Sequence, residues 1–193
     1  MSETFLTTLG AARTGAEWAW TVIYRDLAPS VLCYLRARGA REPEQLLGDV
    51  FLDVVRALPR FKGGHAEFRT WVFTIAHHRL VDDLRRRRRQ PCVPVATETL
   101  AAAAGSGDGE DDALRPLEGV EVRRVLERLS SAQRDVLLLR ILVGFSIAET
   151  ARVLGKRPGA VKSLQIRGLA ALRREIVSEA VPFRTRPAIT WTE

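Results

Sequence analysis

Arginine supplies most of the chemistry available to this chain. Of its 30 basic side chains, all but Lys62, Lys156 and Lys162 are arginines, whose planar fork matches phosphate oxygens and guanine edges. Five of them stand in a row, Arg85 to Arg89. Such a run covers more than one helical turn, so its members cannot all enter one groove, and phosphate contact is the reading for most of them. Upstream, Phe61, Phe68, Trp71 and Phe73 alternate with Lys62, Arg69, His77, His78 and Arg79. Unstacked bases lie on aromatic faces beside cations in this way, at about 1 to 3 kcal/mol per base. Phe73 reads as core, while Trp71 suits either role. Near the other end, Arg157, Ala160, Lys162, Ser163, Gln165 and Arg167 fall on or near the free face of one amphipathic segment. Lys, Arg and Gln there could bond guanine and adenine edges in a major groove.

Catalytic and metal chemistry is poorly served. His77 and His78 with Asp82 and Asp83 suggest a metal-dependent nuclease, but neighbouring residues on a helix point about 100° apart, and no second ligand cluster accompanies them. Cys33 and Cys92 show neither metal-ligand spacing nor a disulfide framework. No enzyme activity, metal or cofactor is expected. No apolar run reaches the roughly 18 residues of a bilayer span and the start lacks a leader pattern, so the expectation is a cytoplasmic chain with no membrane insertion.

The elements that must position these residues are helical throughout. EPEQLLGDVFLDVVRAL sets Leu47, Val50, Val54 and Leu58 three and four apart, and FRTWVFTIAHHRLVDDLRR sets Val72, Ala76 and Leu80 beside Trp71, Ile75 and Leu84. Pro59 and the Gly63–Gly64 pair break the chain between them. Further on, Ser130 with Gln133 and Ser146 with Glu149 form capping-box patterns, Gly144 and Gly155 suit helix ends, and Pro158 suits a first turn. Helices are predicted near 131–143, 146–154 and 158–178. The second and third, joined by Gly155, Lys156 and Arg157, make a helix-turn-helix. Ile147, Ala151 and Leu154 are expected inside against Val161, Leu164, Leu169 and Leu172.

Charge divides the 193 residues. Residues 1–89 hold fifteen basic and ten acidic side chains, residues 115–181 hold thirteen and seven, and between them 90–114 has five acids and no base. The fold class expected is all-α: two small basic helical domains, 1–89 and 115–181, joined by a flexible acidic linker, 90–114, with a tail at 182–193. Two basic bodies on an acidic strap suit a single extended polyanion.

WVFTIAHHRLVDDLRRRRR resembles the W-L-x-x-I-A-x-N-x-x-x-D-x-x-R-R stretch of bacterial extracytoplasmic-function (group 4) sigma factors of the sigma-70 family. LERLSSAQRDVLLLRILVGFSIAETARVLGKRPGAVKSLQIRGLAALR is similar to their C-terminal promoter-reading domain. The likeness covers roughly 18–89 and 117–177, so the two domains correspond to sigma regions 2 and 4. It implies a dissociable initiation subunit that binds RNA polymerase core at the β′ clamp helices and the β subunit, recognises promoter DNA and has no catalysis of its own. Carried over residue by residue, Glu44, Gln45, Asp49 and Asp53 face polymerase. Arg69, Trp71, His77, His78, Arg79, Arg85 and Arg86 engage and melt the −10 element, and Arg157, Ala160, Lys162, Ser163, Gln165 and Arg167 read the −35 element. An anti-sigma factor is a further partner the resemblance suggests.

Three positions depart from the pattern. Gln45 and Gly48 stand where the family has Asp and Gln, His78 stands where it has Asn, and Leu164–Gln165 stand where it has Arg and Leu. The −10 preference is therefore expected to differ, and the −35 sequence does not transfer. A stand-alone helix-turn-helix regulator is the alternative, though a sensor domain has no need of the W-to-R-R motif.

Overall fold

The computed structural model describes residues 2–89 and 126–179; the expected linker and tail lie outside the described residues. Among the described residues the chain is helical, with no strand.

Four helices build the first body: α1 (Ser2–Arg13), α2 (Glu17–Ala37), α3 (Pro43–Ala57) and α4 (His65–Arg89). α2 continues through Pro29, and its buried residues Ala19, Ile23, Leu27, Val31 and Tyr34 recur every three or four positions, enough apolar burial to offset the missing amide. α3 starts with a proline in its first turn, where no amide bond is lost. It buries the expected Leu47, Val50 and Val54. A single 3-10 turn, Leu58–Arg60, then reverses the chain toward α4. Trp20 Nε1 donates to Ala12 O at 3.1 Å and Arg13 to Phe61 O at 2.5 Å, tying α1 to α2 and to that reversal.

The second body follows its punctuation closely. α5 (Ser131–Leu137) opens on Ser130, whose hydroxyl accepts from Gln133 N while the Gln133 side chain accepts from Ser130 N. It runs on as a π-helical turn, Leu138–Leu142. α6 (Ile147–Leu154) carries the same reciprocal cap from Ser146 and Glu149. Gly155 closes α6 in the left-handed region at φ 59°, where a Cβ would be strained, and α7 (Pro158–Glu179) follows. Val136, Ala151 and Val161 form a small core with Ile147, Leu154 and Leu164 around them. Leu169, expected inside, is 43% exposed. It shares the Lys162, Ile166 and Arg173 face of α7, at spacings of four, three and four, and among the described residues no helix of this body covers that face.

The two bodies lie in contact. One apolar cluster runs from Val31, Phe68, Val72 and Phe73 of the first into Leu137, Leu138, Leu139 and Phe145 of the second. α4 lies against α6, and the π turn lies against α2.

Candidate nucleic-acid interface

Helix α4 carries the first set of candidates and divides them between two faces. Trp71, Ile75, His78, Arg79 and Asp82 line a cleft of about 480 Å³ with Asp53, Arg56, Ala57 and Arg60 from α3 and the reversal after it. The Trp71 ring packs 5.0 Å from Phe61 and 5.6 Å from Phe68, centroid to centroid, and is half-buried. Its aromatic neighbours fix its plane and leave one side toward the cleft. His78 is exposed. Arg79 Nε donates to Asp53 Oδ2 at 2.5 Å, and that bond holds the Asp53 carboxyl below its usual range.

Arg69 and His77 lie on the opposite face. Arg69 donates to Val143 O at 2.5 Å, and its guanidinium sits 5.1 Å above the Phe145 ring. The His77 imidazole is only 12% exposed and its Nδ1 lies 2.9 Å from the Tyr34 hydroxyl. Both were expected on the melting surface together with Trp71 and His78. At about 100° per residue, positions 69 and 77 point away from 71 and 78, and the second body covers them.

The arginine run is likewise shared out. Arg87 turns back onto Gly39 O and Asp83. Arg85, Arg86, Arg88 and Arg89 are exposed, with Arg85 3.7 Å from Asp82.

In the second body, Arg157, in the turn before α7, and Ala160, Lys162, Ser163 and Arg167 on α7 are all exposed. Gln165 is not free: its Oε1 accepts from Arg140 Nε at 3.1 Å, and Arg140 also donates to Phe145 O. The Gln165 amide therefore braces α7 on the π turn. Ser163 donates to Gly159 O within its own helix. Sequence reasoning missed Ile166, 60% exposed between Lys162 and Leu169; the four-and-three spacing of those residues was the available signal. It also missed Gly168. A Cβ there would meet Leu137 Cδ1 at 2.9 Å, so α7 crosses α5 closely at that point.

On α3, Glu44, Gln45 and Asp49 are exposed, whereas Asp53 is held at the cleft by Arg79. Glu44 is bonded by Arg36 at 2.6 Å, which lowers its carboxyl pKa. Beside them runs an apolar groove between α2 and α3, lined by Trp20, Tyr24, Phe51, Leu52 and Val55 with Gly48 among them. Leu52 and Val55 are 53% and 45% exposed; they fall off the buried stripe of α3, and sequence reasoning did not single them out. Among the described residues, no helix is long and apolar enough to cross a membrane.

This architecture, with a helix-turn-helix following a four-helix basic body, is that of a sigma-70 protein. The model of sigma-70 region 2 matches residues 23–90 and that of sigma-70 region 4 matches residues 119–172. Among curated proteins, the ECF RNA polymerase sigma factor ShbA of Streptomyces griseus subsp. griseus is 34% identical over 154 residues, covering 75% of this chain and 81% of ShbA. The ECF RNA polymerase sigma factor BldN of Streptomyces coelicolor is 32% identical over 171 residues, covering 88% of this chain and 64% of BldN. The sigma factor RpoE of Bartonella quintana, solved in complex with the anti-sigma factor NepR, shares the fold at a TM-score of 0.65 and 22% identity, over 82% of this chain and 96% of that one. The chain belongs to the ECF sigma factors of RNA polymerase, a family that serves transcription initiation.

Proposed function

We propose that the chain directs polymerase core to two-element promoters, with its first body opening the −10 element and its second reading the −35 element. The observation that carries this is the cleft between α3 and α4. It joins an oriented aromatic ring, an exposed imidazole and three arginines on the side of α4 that the second body leaves free. A surface that binds only unstacked bases shifts the duplex toward opening, because its affinity is differential. The cleft residues Trp71, His78 and Arg79, followed by Arg85 and Arg86 for backbone phosphates, have that character. At the start of and along α7, Arg157, Lys162 and Arg167 offer forked or point-charge donors to a major groove, and Ile166 offers an apolar contact suited to thymine methyls.

The exposed acidic residues Glu44 and Asp49, next to the apolar α2–α3 groove, suit docking on polymerase. The same groove suits an anti-sigma factor, the partner that the RpoE structure holds. Synthesis belongs to the core enzyme, so the chain acts in the cytoplasm and performs no catalysis itself.

Run-off transcription with purified core tests this reading. The wild-type chain is expected to start transcripts from a two-element promoter. Lys162→Ala or Arg167→Ala is expected to weaken use of the −35 element, by about tenfold for a contact worth 1 to 3 kcal/mol. His78→Ala is expected to impair duplex opening, with recovery on a premelted template. Absence of transcript from the wild-type chain, or no recovery on the premelted template, counts against the assignment.

A further inference from the structure

We infer that Asp53 is a positioning residue: its carboxylate fixes the Arg79 guanidinium in the α3–α4 cleft, and through that arginine the cleft selects an unstacked base with two adjacent acceptors. This rests on the promoter reading above and adds to it which base edge the first body takes. By resemblance alone Asp53 belongs with the polymerase-facing residues of α3, but its contacts lie in the cleft.

Asp53 Oδ2 accepts from Arg79 Nε at 2.5 Å, and its other oxygen lies 3.7 Å from Arg56 Nη1. Both arginines line the cleft with Trp71, Ile75 and His78. With Nε taken, the plane of the Arg79 fork is set, and among the described residues its two terminal nitrogens make no hydrogen bond. Trp71, Ile75, Arg79 and Asp82 follow one another at spacings of four, four and three. Ring and fork therefore lie on one stripe of α4, about 12 Å apart along its axis.

Stability is a weak reason for this pair. The Arg79 and Asp53 side chains are 35% and 26% exposed, and ion pairs with that much access to water contribute little. Affinity is no better a reason, because a carboxylate in a cleft for a polyanion opposes phosphate and weakens the binding of every sequence alike. What the carboxylate supplies is orientation. A free arginine loses side-chain freedom when it bonds a ligand, whereas one already held through Nε presents Nη1 and Nη2 at lower entropic cost. That fork matches a base edge with two neighbouring acceptors: O6 and N7 of guanine, or N3 and O2 of an unpaired cytosine. Adenine and thymine alternate donors with acceptors along their edges, so one nitrogen of the fork is left unmatched.

The test uses the full chain bound to purified core, on premelted templates in which each unpaired −10 position of the displaced strand carries A, C, G or T in turn. The wild-type complex is expected to start transcripts about tenfold faster with guanine or cytosine than with adenine or thymine at one position. Comparing the guanine and cytosine arms shows which of the two edges is read. Arg79→Lys keeps the charge without the fork, and Asp53→Ala keeps the fork without its support. Each is expected to remove most of the preference at that position alone, with affinity for core and helical circular dichroism unchanged. The double variant is expected to lose no more than either single one.

A preference that survives Asp53→Ala, or losses that add in the double variant, overturns the inference. So does an Asp53→Ala chain that binds core more weakly with its base preference intact, which would return Asp53 to the polymerase face. Equal tightening on all four templates would leave Asp53 as a repulsive charge and nothing more. Loss of helicity in both single variants would make the pair a support of the fold, again against the inference. A wild-type complex that yields no transcript removes the promoter reading itself, whereas one that transcribes without preferring guanine or cytosine at any position removes only the role given to Asp53 and Arg79.

Discussion

The two helices that carry the basic chemistry, α4 and α7, differ in how many surfaces claim them. α7 is packed on one side by α5 and α6, and nothing among the described residues covers its Lys162–Ile166–Leu169 face. Its polar residues are therefore free wherever they leave the core stripe, apart from Gln165. α4 is packed by α3 on one side and by α6 on another, so Arg69 and His77 are used up in joining the bodies while Trp71 and His78 are not. Residue type indicates nucleic-acid chemistry reliably only on a helix buried from one side. On a helix buried from two, an arginine can equally be a strut.

The strongest way to break that contrast is to cut the contact at its apolar centre. Phe145 is 1% exposed, lies edge-on 5.1 Å from Phe73 and sits beneath Arg69. Phe145→Ala is expected to cost about 3 to 5 kcal/mol. If the bodies unfold as one, denaturation followed by tryptophan fluorescence, which in the described residues reports Trp18, Trp20 and Trp71 of the first body, moves together with circular dichroism. A fluorescence transition that stays in place while helicity is lost earlier would show that α4 is not held by the second body.

A smaller effect is expected inside the second body alone. Gly168→Ala places a methyl group 2.9 Å from Leu137 Cδ1, and Leu137 is 2% exposed with little room to yield. Overpacking of this kind costs about 1 to 3 kcal/mol, partly offset by the roughly 1 kcal/mol that alanine gains over glycine in a helix. Thermal denaturation of the single and double variants checks it. Adding Leu137→Ala should make the pair less damaging than the sum of its parts, whereas strict additivity would place the close approach elsewhere.

Local signals made most of the second body legible before its structure was known. Both capping boxes, Gly155 and Pro158 act within four residues of themselves, so the helix-turn-helix boundaries followed from sequence alone, as did the buried stripe of α3. α1 and α2 were not read. Pro29 interrupts the pattern of α2, although Ala19, Ile23, Leu27 and Val31 keep its period on both sides. The roles of Gln165, Leu169, Arg69 and His77 depend on partners far along the chain, and no spacing rule reaches them. Asp135 is the extreme case. In sequence it is one more carboxylate on a charged helix, and only the arrival of Arg38 from 97 residues away makes it buried.

The caps themselves offer a test of about 1 kcal/mol. Ser146→Ala removes the oxygen that accepts from Glu149 N at 3.2 Å and leaves an orphan amide at the start of α6. Because α6 packs on both α4 and α7, fraying its first turn should loosen both bodies by a similar small amount. The fluorescence and circular dichroism midpoints should therefore fall together. Loss confined to circular dichroism would mean that α6 serves only its own body.

The gentlest probe is pH, acting on His77. Its imidazole faces Tyr34 from α2 and Arg38 just after it, Asp135 from α5, His78 on its own helix and Lys156 at the turn before α7. Burial is the main influence and lowers its pKa below the ordinary 6.5; Asp135 opposes this, and Arg38, His78 and Lys156 reinforce it. In the unfolded chain the ring takes up its proton near the ordinary 6.5, while in the folded chain it does so only at lower pH. Proton uptake therefore favours the unfolded chain, and the contribution of this group to stability, fully present above 6.5, is lost as pH falls below that value. Asp53 and Glu44 also favour the folded chain less at acid pH, but their ordinary values are 3.8 and 4.5, so they act in a lower window. Between about pH 7.5 and 5.5 the thermal midpoint of the wild-type chain should fall, and that of His77→Gln should fall less. A parallel fall in both chains would assign the response to some other group and leave His77 as a neutral spacer.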